Sequence, residues 1–473
     1  MICLKRLKKF KFSASLGLVI LSQISTACAL EKIPIDLLIK GDYLLTMVEG
    51  DKIIRSGAVA VDDGKILAIG KNEVLSQLYI AEDTLEGGNR VVMPGLINGH
   101  SHAAMTLFRG VADDYPLFEW LSILFPAEVN HVDSNFVRVG TELACWEMIR
   151  GGTTTFVDMY YFPDTIAEVV KNCGLRALIS ATIIDQRSPD AVDAADSLKN
   201  ARAFVEKWQG ISDRIIPILG PHSNYTLNLA QLKQTRSLAN ELGVGLSIHM
   251  AESPYEKRYA LEKYKSSSVL TYNSIGFLDG DTIAAHMVVP SQEEIRLLRE
   301  KKIGVIYNPT SNMKTAAGVA PIVEMLEAGV KIGLGTDGAA SNNDLDMWEE
   351  MRLATLLQKV KHMNPEVLPA SKILAMATRE GAKAIGLSKE IGTLEAGRWA
   401  DIIQVSTGDV HFFPMYDLIS HLVYVSDEQD VTSVVVAGKI LMRDRRLLTL
   451  DTSRIRKEAE KISNEIRLGL KSR

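Results

Sequence analysis

Cysteine is scarce in this chain of 473 residues: Cys3, Cys28, Cys145 and Cys173 are all there is, with no CxxC and no Cys/His zinc spacing. No disulfide framework can be built from so few, and any metal must be held by histidine and carboxylate. Cys145 and Cys173 fall in stretches that read as helix (ELACWEMIR and IAEVVKNCG), where a buried structural thiol is expected. No G-x-G-x-x-G or Walker pattern follows an early strand, which excludes a dinucleotide-binding or P-loop protein. Excess positive charge is also missing. Lys and Arg number 53 against 58 Asp and Glu, and the formal charge of -5 already includes Lys5, Arg6, Lys8, Lys9 and Lys11. That balance excludes a nucleic-acid partner and an anionic membrane surface.

What is present is an ordinary globular composition, 47% hydrophobic and 23% charged, long enough for one large domain plus a smaller one. The N-terminus divides into a basic stretch, an apolar stretch from Ser13 to Ile24, and a small-residue run, Ser25 to Ala29. This order reads as a secretory signal peptide cleaved after Ala29, and it predicts export to a bacterial periplasm. An uncleaved anchor is the weaker alternative, because the apolar stretch is shorter than the roughly 20 residues that span a bilayer. Cys28 leaves lipidation open as a third, and with it a membrane attachment.

From residue 90 to 340, eight short apolar runs recur: VVMPGLING, TTTFVDM, RALISATI, IIPILGP, GLSIHM, TIAAHM, GVIYNP and KIGLGTD. Amphipathic stretches such as FVRVGTELACWEMIRGG, LAQLKQTRSLANELG and QEEIRLLREKK separate them. Eight strands each followed by a helix predict an α/β protein with a closed (β/α)8 TIM barrel. Outside it, residues 35–93 and 395–450 alternate apolar and polar residues between Gly-Lys and Asp-Gly turns, as antiparallel strands do. Together they predict one small β-sandwich built from both ends of the chain. The expected organisation is a leader over 1–29, β-sandwich segments over 30–93 and 391–450, the barrel over 94–390, and a C-terminal helix over 451–473.

In a barrel the active site forms at the C-terminal ends of the strands. There the sequence places His100 and His102 on strand one, His222 on strand four, His249 with Glu252 on strand five, His286 on strand six and Asp337 on strand eight. Residues i and i+2 of an extended segment point to one face, so His100 and His102 can reach the same ion. An isolated H-x-H arises by chance, and an Asp after a glycine-rich strand can simply cap the next helix. Found at the ends of three strands of one barrel, His100, His102, His249 and Asp337 predict a metal site. His131, His362, His411 and His421 lie away from the strand ends and read as structural or surface residues.

The segments PGLINGHSHAAMTLFRG, GPHS, HMAES, AAHMV, NPTSNMK and GTDGAASNNDLDMWEEMRLA resemble the nucleoside and nucleobase deaminase branch of the amidohydrolase superfamily. The likeness is greatest to the 5-methylthioadenosine/S-adenosylhomocysteine deaminases and covers nearly everything after the leader. It implies one zinc ion, with iron(II) as the alternative, held by His100, His102, His249 and Asp337. Other branches bridge two metals through a carboxylated lysine at the end of strand four, where this chain has His222. The resemblance further implies that Asp337 accepts the proton of the attacking water and Glu252 protonates the ring nitrogen. His286 steadies the tetrahedral intermediate, Glu128 holds the ribose hydroxyls and His222 contacts the nucleoside near its sugar.

One departure concerns the loop after strand three, where relatives acting on S-adenosylhomocysteine carry arginines for the amino-acid carboxylate. Here Ala181 stands at the expected position, with Arg187 the nearest arginine. The expected reaction is hydrolytic deamination of an adenosine-type nucleoside (5'-methylthioadenosine, S-adenosylhomocysteine or adenosine) to the inosine derivative and ammonia. A triazine chlorohydrolase or cyclic-amide hydrolase keeps the same metal site and stays open. A non-catalytic solute-binding protein is the remote alternative, disfavoured by the intact ligand set with Glu252 and His286. A homo-oligomer is compatible with a barrel of this size, though no interface signature stands out.

Overall fold

The computed structural model describes residues 31–471. The leader reading, including Cys28, lies outside the described residues. Five strands open the chain: β1 (Ile33–Leu45), β2 (Ile53–Asp62), β3 (Lys65–Lys71), β4 (Tyr79–Leu85) and β5 (Arg90–Pro94). Eight more follow, alternating with helices: β6 (Leu96–Ser101), β7 (Thr153–Tyr160), β8 (Arg176–Ile183), β9 (Ile215–Pro221), β10 (Leu246–Met250), β11 (Thr282–His286), β12 (Gly304–Tyr307) and β13 (Lys331–Leu334). The chain then adds β14 (Ile402–Ser406), β15 (Val431–Val436), β16 (Lys439–Arg443) and β17 (Arg446–Leu447).

The middle eight form one parallel sheet in sequence order, and its two edges meet. Ser101 after β6 bridges Asp337 after β13, and the Asp337 amide donates to the His100 carbonyl at 3.0 Å. Asn98 locks the seam with its side-chain amide, donating to Thr336 Oγ1 at 2.7 Å and accepting from the Thr336 backbone at 3.0 Å. The protein is thus a (β/α)8 barrel, and the seam that closes it carries three of the rim residues. Its strands read as unbroken apolar runs because both faces are covered; β7 is buried at every position.

The run VVMPGLING, read as one strand, is two. β5 belongs to the small sheet and β6 to the barrel, with the crossing at Gly95. A Cβ there would sit 2.1 Å from the Thr154 side chain, so only glycine lets the chain pass between the sheets. The small sheet has nine strands, and β14 pairs antiparallel with β5 to join its C-terminal half to its N-terminal half. It is mixed rather than purely antiparallel, since β4 and β5 both return parallel to β1.

Helix ends follow local chemistry. Asn228 with Gln231, and Ser291 with Glu294, form capping boxes at the starts of Leu229–Leu242 and Gln292–Glu300. Gly152 and Gly243, at φ of 82° and 68°, close the helices Ser134–Gly151 and Leu229–Leu242. The last helix, Thr452–Lys471, buries Ile455, Ile462 and Ile466, and Arg454 pairs with Glu142 on the helix Ser134–Gly151. Among the described residues no helix is long and apolar enough to cross a membrane.

Candidate metal centre and active site

His100, His102, His249 and Asp337 converge at the C-terminal rim, each offering one ligand atom within 4.8 Å of the others. His102 Nε2 lies 3.1 Å from Asp337 Oδ1 and 3.3 Å from His249 Nε2; His100 Nε2 lies 3.4 Å from the same Asp337 oxygen. The outer nitrogens are committed elsewhere. His102 Nδ1 donates to the Met159 carbonyl at 2.6 Å, and His249 Nδ1 to the His222 carbonyl at 2.9 Å. Each bond selects the tautomer whose Nε2 lone pair faces the centre. His100 is fully buried, with neither ring nitrogen hydrogen-bonded. Such a nitrogen, aimed at three other potential ligands, is what a cation site requires. Three imidazoles and one carboxylate fit a single Zn²⁺, which here would lower the pKa of a bound water towards about 7.

The electrostatics follow the same geometry. Burial depresses His100 and His249, keeping both imidazoles neutral. Burial also works against a charged His102, but contact with the Asp337 carboxylate outweighs it and raises His102 to about 9; a bound cation would take the place of that proton on Nε2. Burial alone would raise the Asp337 carboxyl, yet His100, His102 and His286 together hold it well below the usual carboxylate range. Its second oxygen, Oδ2, accepts from Ser311 Oγ at 2.6 Å and Ser341 Oγ at 3.0 Å. Asp337, His286 and Ala251 all adopt left-handed backbone, at φ of 62°, 77° and 48°, a conformation that non-glycine residues take up at a cost met elsewhere in the fold.

Glu252 and His286 flank this cluster. Burial, then the charge of Glu256, pushes the Glu252 carboxyl up to about 8, so it holds a proton at neutral pH. Tyr225 Oη donates to its Oε2 at 3.1 Å. His286 Nε2 lies 3.7 Å from Glu252 Oε1 and 4.0 Å from Asp337 Oδ2. Burial lowers His286 to about 3, leaving it neutral. Its Nδ1 accepts from the Asn312 side-chain amide at 2.9 Å, so Nε2 carries the hydrogen; that nitrogen is buried, unpartnered and aimed into the site.

Glu128 sits on the helix Leu117–His131 and lines the same pocket as His102, His222, His249, Glu252 and Asp337. Tyr161 Oη donates to its Oε2 at 3.3 Å, Oε1 has no partner, and burial raises the acid to about 7. His222 stands just past β9, its Nδ1 near the Ser223 and Thr226 hydroxyls, and burial lowers it to about 3. Leu117, Trp120, Leu121, Leu124 and Phe125, on the same helix as Glu128, make that part of the lining apolar. Six of the eight residues singled out in the sequence therefore line one pocket, and the other two, His100 and His286, lie behind it against Asp337 and Glu252.

Ala181 is not in the loop after the third barrel strand. It lies inside β8, 2% exposed and paired with Tyr160 and Leu219. Arg187 opens into a different groove with Phe162, Asp190 and Asp196. Among the described residues, no lysine or arginine lines the central pocket.

Several contributors were not assigned roles from sequence: Ser311 and Ser341 on Asp337, Asn312 on His286, Tyr225 on Glu252, and Glu256. The Glu256 carboxylate accepts the backbone N–H of Ala251 at 3.2 Å and of Glu252 at 2.5 Å, fixing the turn that presents Glu252. Asp158, fully buried, accepts the Ala103 N–H at 2.6 Å just after His102. NPTSNMK and GTDGAASNN held the signal for the serines and for Asn312, but nothing in a linear pattern says which hydroxyl meets which carboxylate.

The chain matches the amidohydrolase family model over residues 91–441. It is 44% identical to the 5'-deoxyadenosine deaminase of Methanosarcina mazei over 91% of this chain and 98% of that one. To the 5-methylthioadenosine/S-adenosylhomocysteine deaminase of Desulforudis audaxviator it is 41% identical, covering 91% and 99%. Its fold superposes on a zinc-bound adenosine deaminase from Xanthomonas campestris with a TM-score of 0.91 at 34% identity, covering 93% and 100% of the two chains. With a four-ligand metal cluster at the rim and these likenesses along nearly its whole length, the chain belongs to the amidohydrolase family, as a hydrolase of C–N bonds other than peptide bonds.

Proposed function

We propose that the protein deaminates adenosine-type nucleosides with an uncharged 5' end (adenosine, 5'-deoxyadenosine or 5'-methylthioadenosine) to the inosine derivative and ammonia. The observation that carries this reading is Glu252, a buried carboxyl held by Tyr225 and His286 beside the four-ligand cluster, where burial favours its protonated form. A carboxylic acid there delivers a proton to a ring nitrogen and makes the adjacent carbon electrophilic, chemistry that an aromatic amidine needs and a plain lactam does not. Asp337, kept ionised, takes the proton of the attacking water. The Nε2–H of His286 donates to the oxygen that develops charge as the ring carbon becomes tetrahedral.

Glu128, with one oxygen unpartnered, suits the two ribose hydroxyls, and the apolar wall from Leu117 to Phe125 suits the base and a small 5' substituent. The pocket's lack of lysine and arginine disfavours S-adenosylhomocysteine, whose carboxylate would be buried unpaired. The names of the relatives, 5'-deoxyadenosine deaminase and 5-methylthioadenosine/S-adenosylhomocysteine deaminase, support an adenosine-type nucleoside as the substrate class. We also infer export from the basic, apolar and small-residue order of residues 5–29, which cell fractionation tests.

The decisive experiment is ammonia release by zinc-loaded protein from adenosine, 5'-deoxyadenosine, 5'-methylthioadenosine, S-adenosylhomocysteine, guanine and a chlorotriazine. The expected result is turnover of the first three, with S-adenosylhomocysteine at least about tenfold poorer, the worth of one unpaired buried charge at the low end. Preference for S-adenosylhomocysteine would overturn the uncharged-end reading. Chloride release without ammonia release would overturn deamination itself.

A further inference from the structure

Cys145 and Cys173 are the cysteines among the described residues, and nothing in the active site uses them. Cys145 lies inside the helix Ser134–Gly151, and Cys173 is the last residue of the helix Pro163–Cys173. The two helices flank β7, and the thiols meet between them. Both are fully buried, with Sγ to Sγ at 2.9 Å. Two cysteines scattered at random through a body of this length would rarely touch. These also lie on elements held by other contacts: Thr449 Oγ1 donates to the Cys173 carbonyl at 2.7 Å, and Gly174 ends the helix at φ of 101°. A disulfide needs its sulfurs at about 2.05 Å, a closure of less than an ångström from where these thiols stand.

We propose that Cys145 and Cys173 form a disulfide whenever the chain folds in the presence of a disulfide oxidant. The step is a thiol–disulfide exchange. One thiolate attacks a sulfur of the oxidant RSSR and releases RSH, and the second thiol then displaces the other RS group from the mixed disulfide. Two protein thiols lose two hydrogens and two electrons, and one RSSR becomes two RSH. The order of events matters, because the folded core is closed to reagents at this point. Burial, and then the neighbouring sulfur, also hold the Cys145 thiol in its protonated, unreactive form. The bond therefore forms while the chain is folding, and in the finished molecule it resists reduction. Its effect is to staple the helices on either side of β7, the strand that carries Asp158 and Met159 near its C-terminal end, both of which hold the His102 segment in place.

The test uses the full chain produced in a reducing and in an oxidising compartment. Each product is denatured, alkylated without reductant, digested, and mapped by mass spectrometry. Oxidising production is expected to yield a linked peptide pair containing Cys145 and Cys173, 2 Da lighter than the separate peptides, with neither cysteine alkylated. Peptide mapping keeps this pair distinct from Cys3 and Cys28. Alkylation of both residues in the oxidised product would overturn the proposal, as would glutathione left on either one. The linked form should melt about 3 °C higher than the reduced form, as expected for a 28-residue loop in a chain of this size. Cys145→Ala should abolish that difference while leaving the turnover number unchanged. A melting difference that persists in Cys145→Ala would assign it to something other than this bond.

Discussion

At the N-terminal end of the barrel, Arg176 enters β8 with its guanidinium buried and fully engaged. Nε and Nη2 donate to the two oxygens of Asp401 at 2.7 and 3.1 Å, and Nη1 donates to the Asp213 carbonyl at 2.6 Å. At the C-terminal end, His100, as deeply buried, has neither nitrogen hydrogen-bonded, and Glu128 Oε1 and His286 Nε2 also lack partners. Both ends bury charge-capable side chains; one end pairs them off and the other leaves them open. A buried polar group that is satisfied within the fold contributes to stability and to docking, here of the small sheet through β14 onto the barrel. One left unsatisfied is waiting for a cation, a water or a substrate. This difference, more than the amount of buried charge, marks which end performs chemistry.

The comparison breaks first at Asp337. Asp337→Asn removes both a ligand and the proton acceptor, so kcat should fall by at least about 10⁴-fold while the fold persists. A variant retaining a tenth of the activity would mean that another group takes the proton. Glu252→Gln should cost about 10²–10⁴-fold in kcat/KM. Because the Glu252 acid is the form that works and its pKa is near 8, wild-type activity should decline as pH rises through about 8. The sign for stability is the same: the native state binds this proton more tightly than the unfolded chain, so the contribution is complete below pH 4.5 and is lost by about pH 8. A pH–rate profile flat to pH 9.5 would remove Glu252 from the acid role.

At the opposite end, Asp401→Asn leaves the Arg176 charge buried without its partner, and the unfolding free energy in urea should drop by about 3–5 kcal/mol. Activity of the folded fraction should not change. Arg176→Met combined with Asp401→Leu should recover most of the loss, since a packed apolar pair replaces the ion pair at little net cost. A fall in kcat matching the fall in stability would show that the two ends are coupled and that the division drawn above is wrong.

How far this division could be read from sequence depends on whether a residue's role is set along the strand or across space. The barrel was legible because its strands are contiguous apolar runs at regular spacing. The metal ligands were legible because a strand end is a position along the chain. The split of VVMPGLING at Gly95 was not, since it follows from a contact with Thr154 almost sixty positions on. Nor was the mixed character of the small sheet, because alternation reports the faces of a strand and not the direction of its neighbour. Ala181 illustrates the limit most directly: it is assigned to a loop by analogy but lies within β8, paired on both sides. Arg176 and Asp401, 225 positions apart, carried no sequence signal as a pair.

The mildest test of the open end lies with the two hydroxyls on Asp337. Ser311 Oγ and Ser341 Oγ both donate to Oδ2, which leaves Oδ1 for the metal side, where it faces His100 and His102. Removing either donor frees the carboxylate to rotate and makes it a stronger base, but leaves all four ligands in place. Partners of this kind are worth about 10–100-fold in activity or metal affinity. Ser311, at 2.6 Å, should lie toward the upper end and Ser341, at 3.0 Å, toward the lower, so Ser341→Ala should retain its zinc and lose about tenfold in kcat/KM. The two serines also touch each other at 3.2 Å, so the double variant should cost less than the product of the singles. Costs that simply multiply would show that each serine acts on Asp337 alone, rather than as one hydrogen-bonded support beneath it.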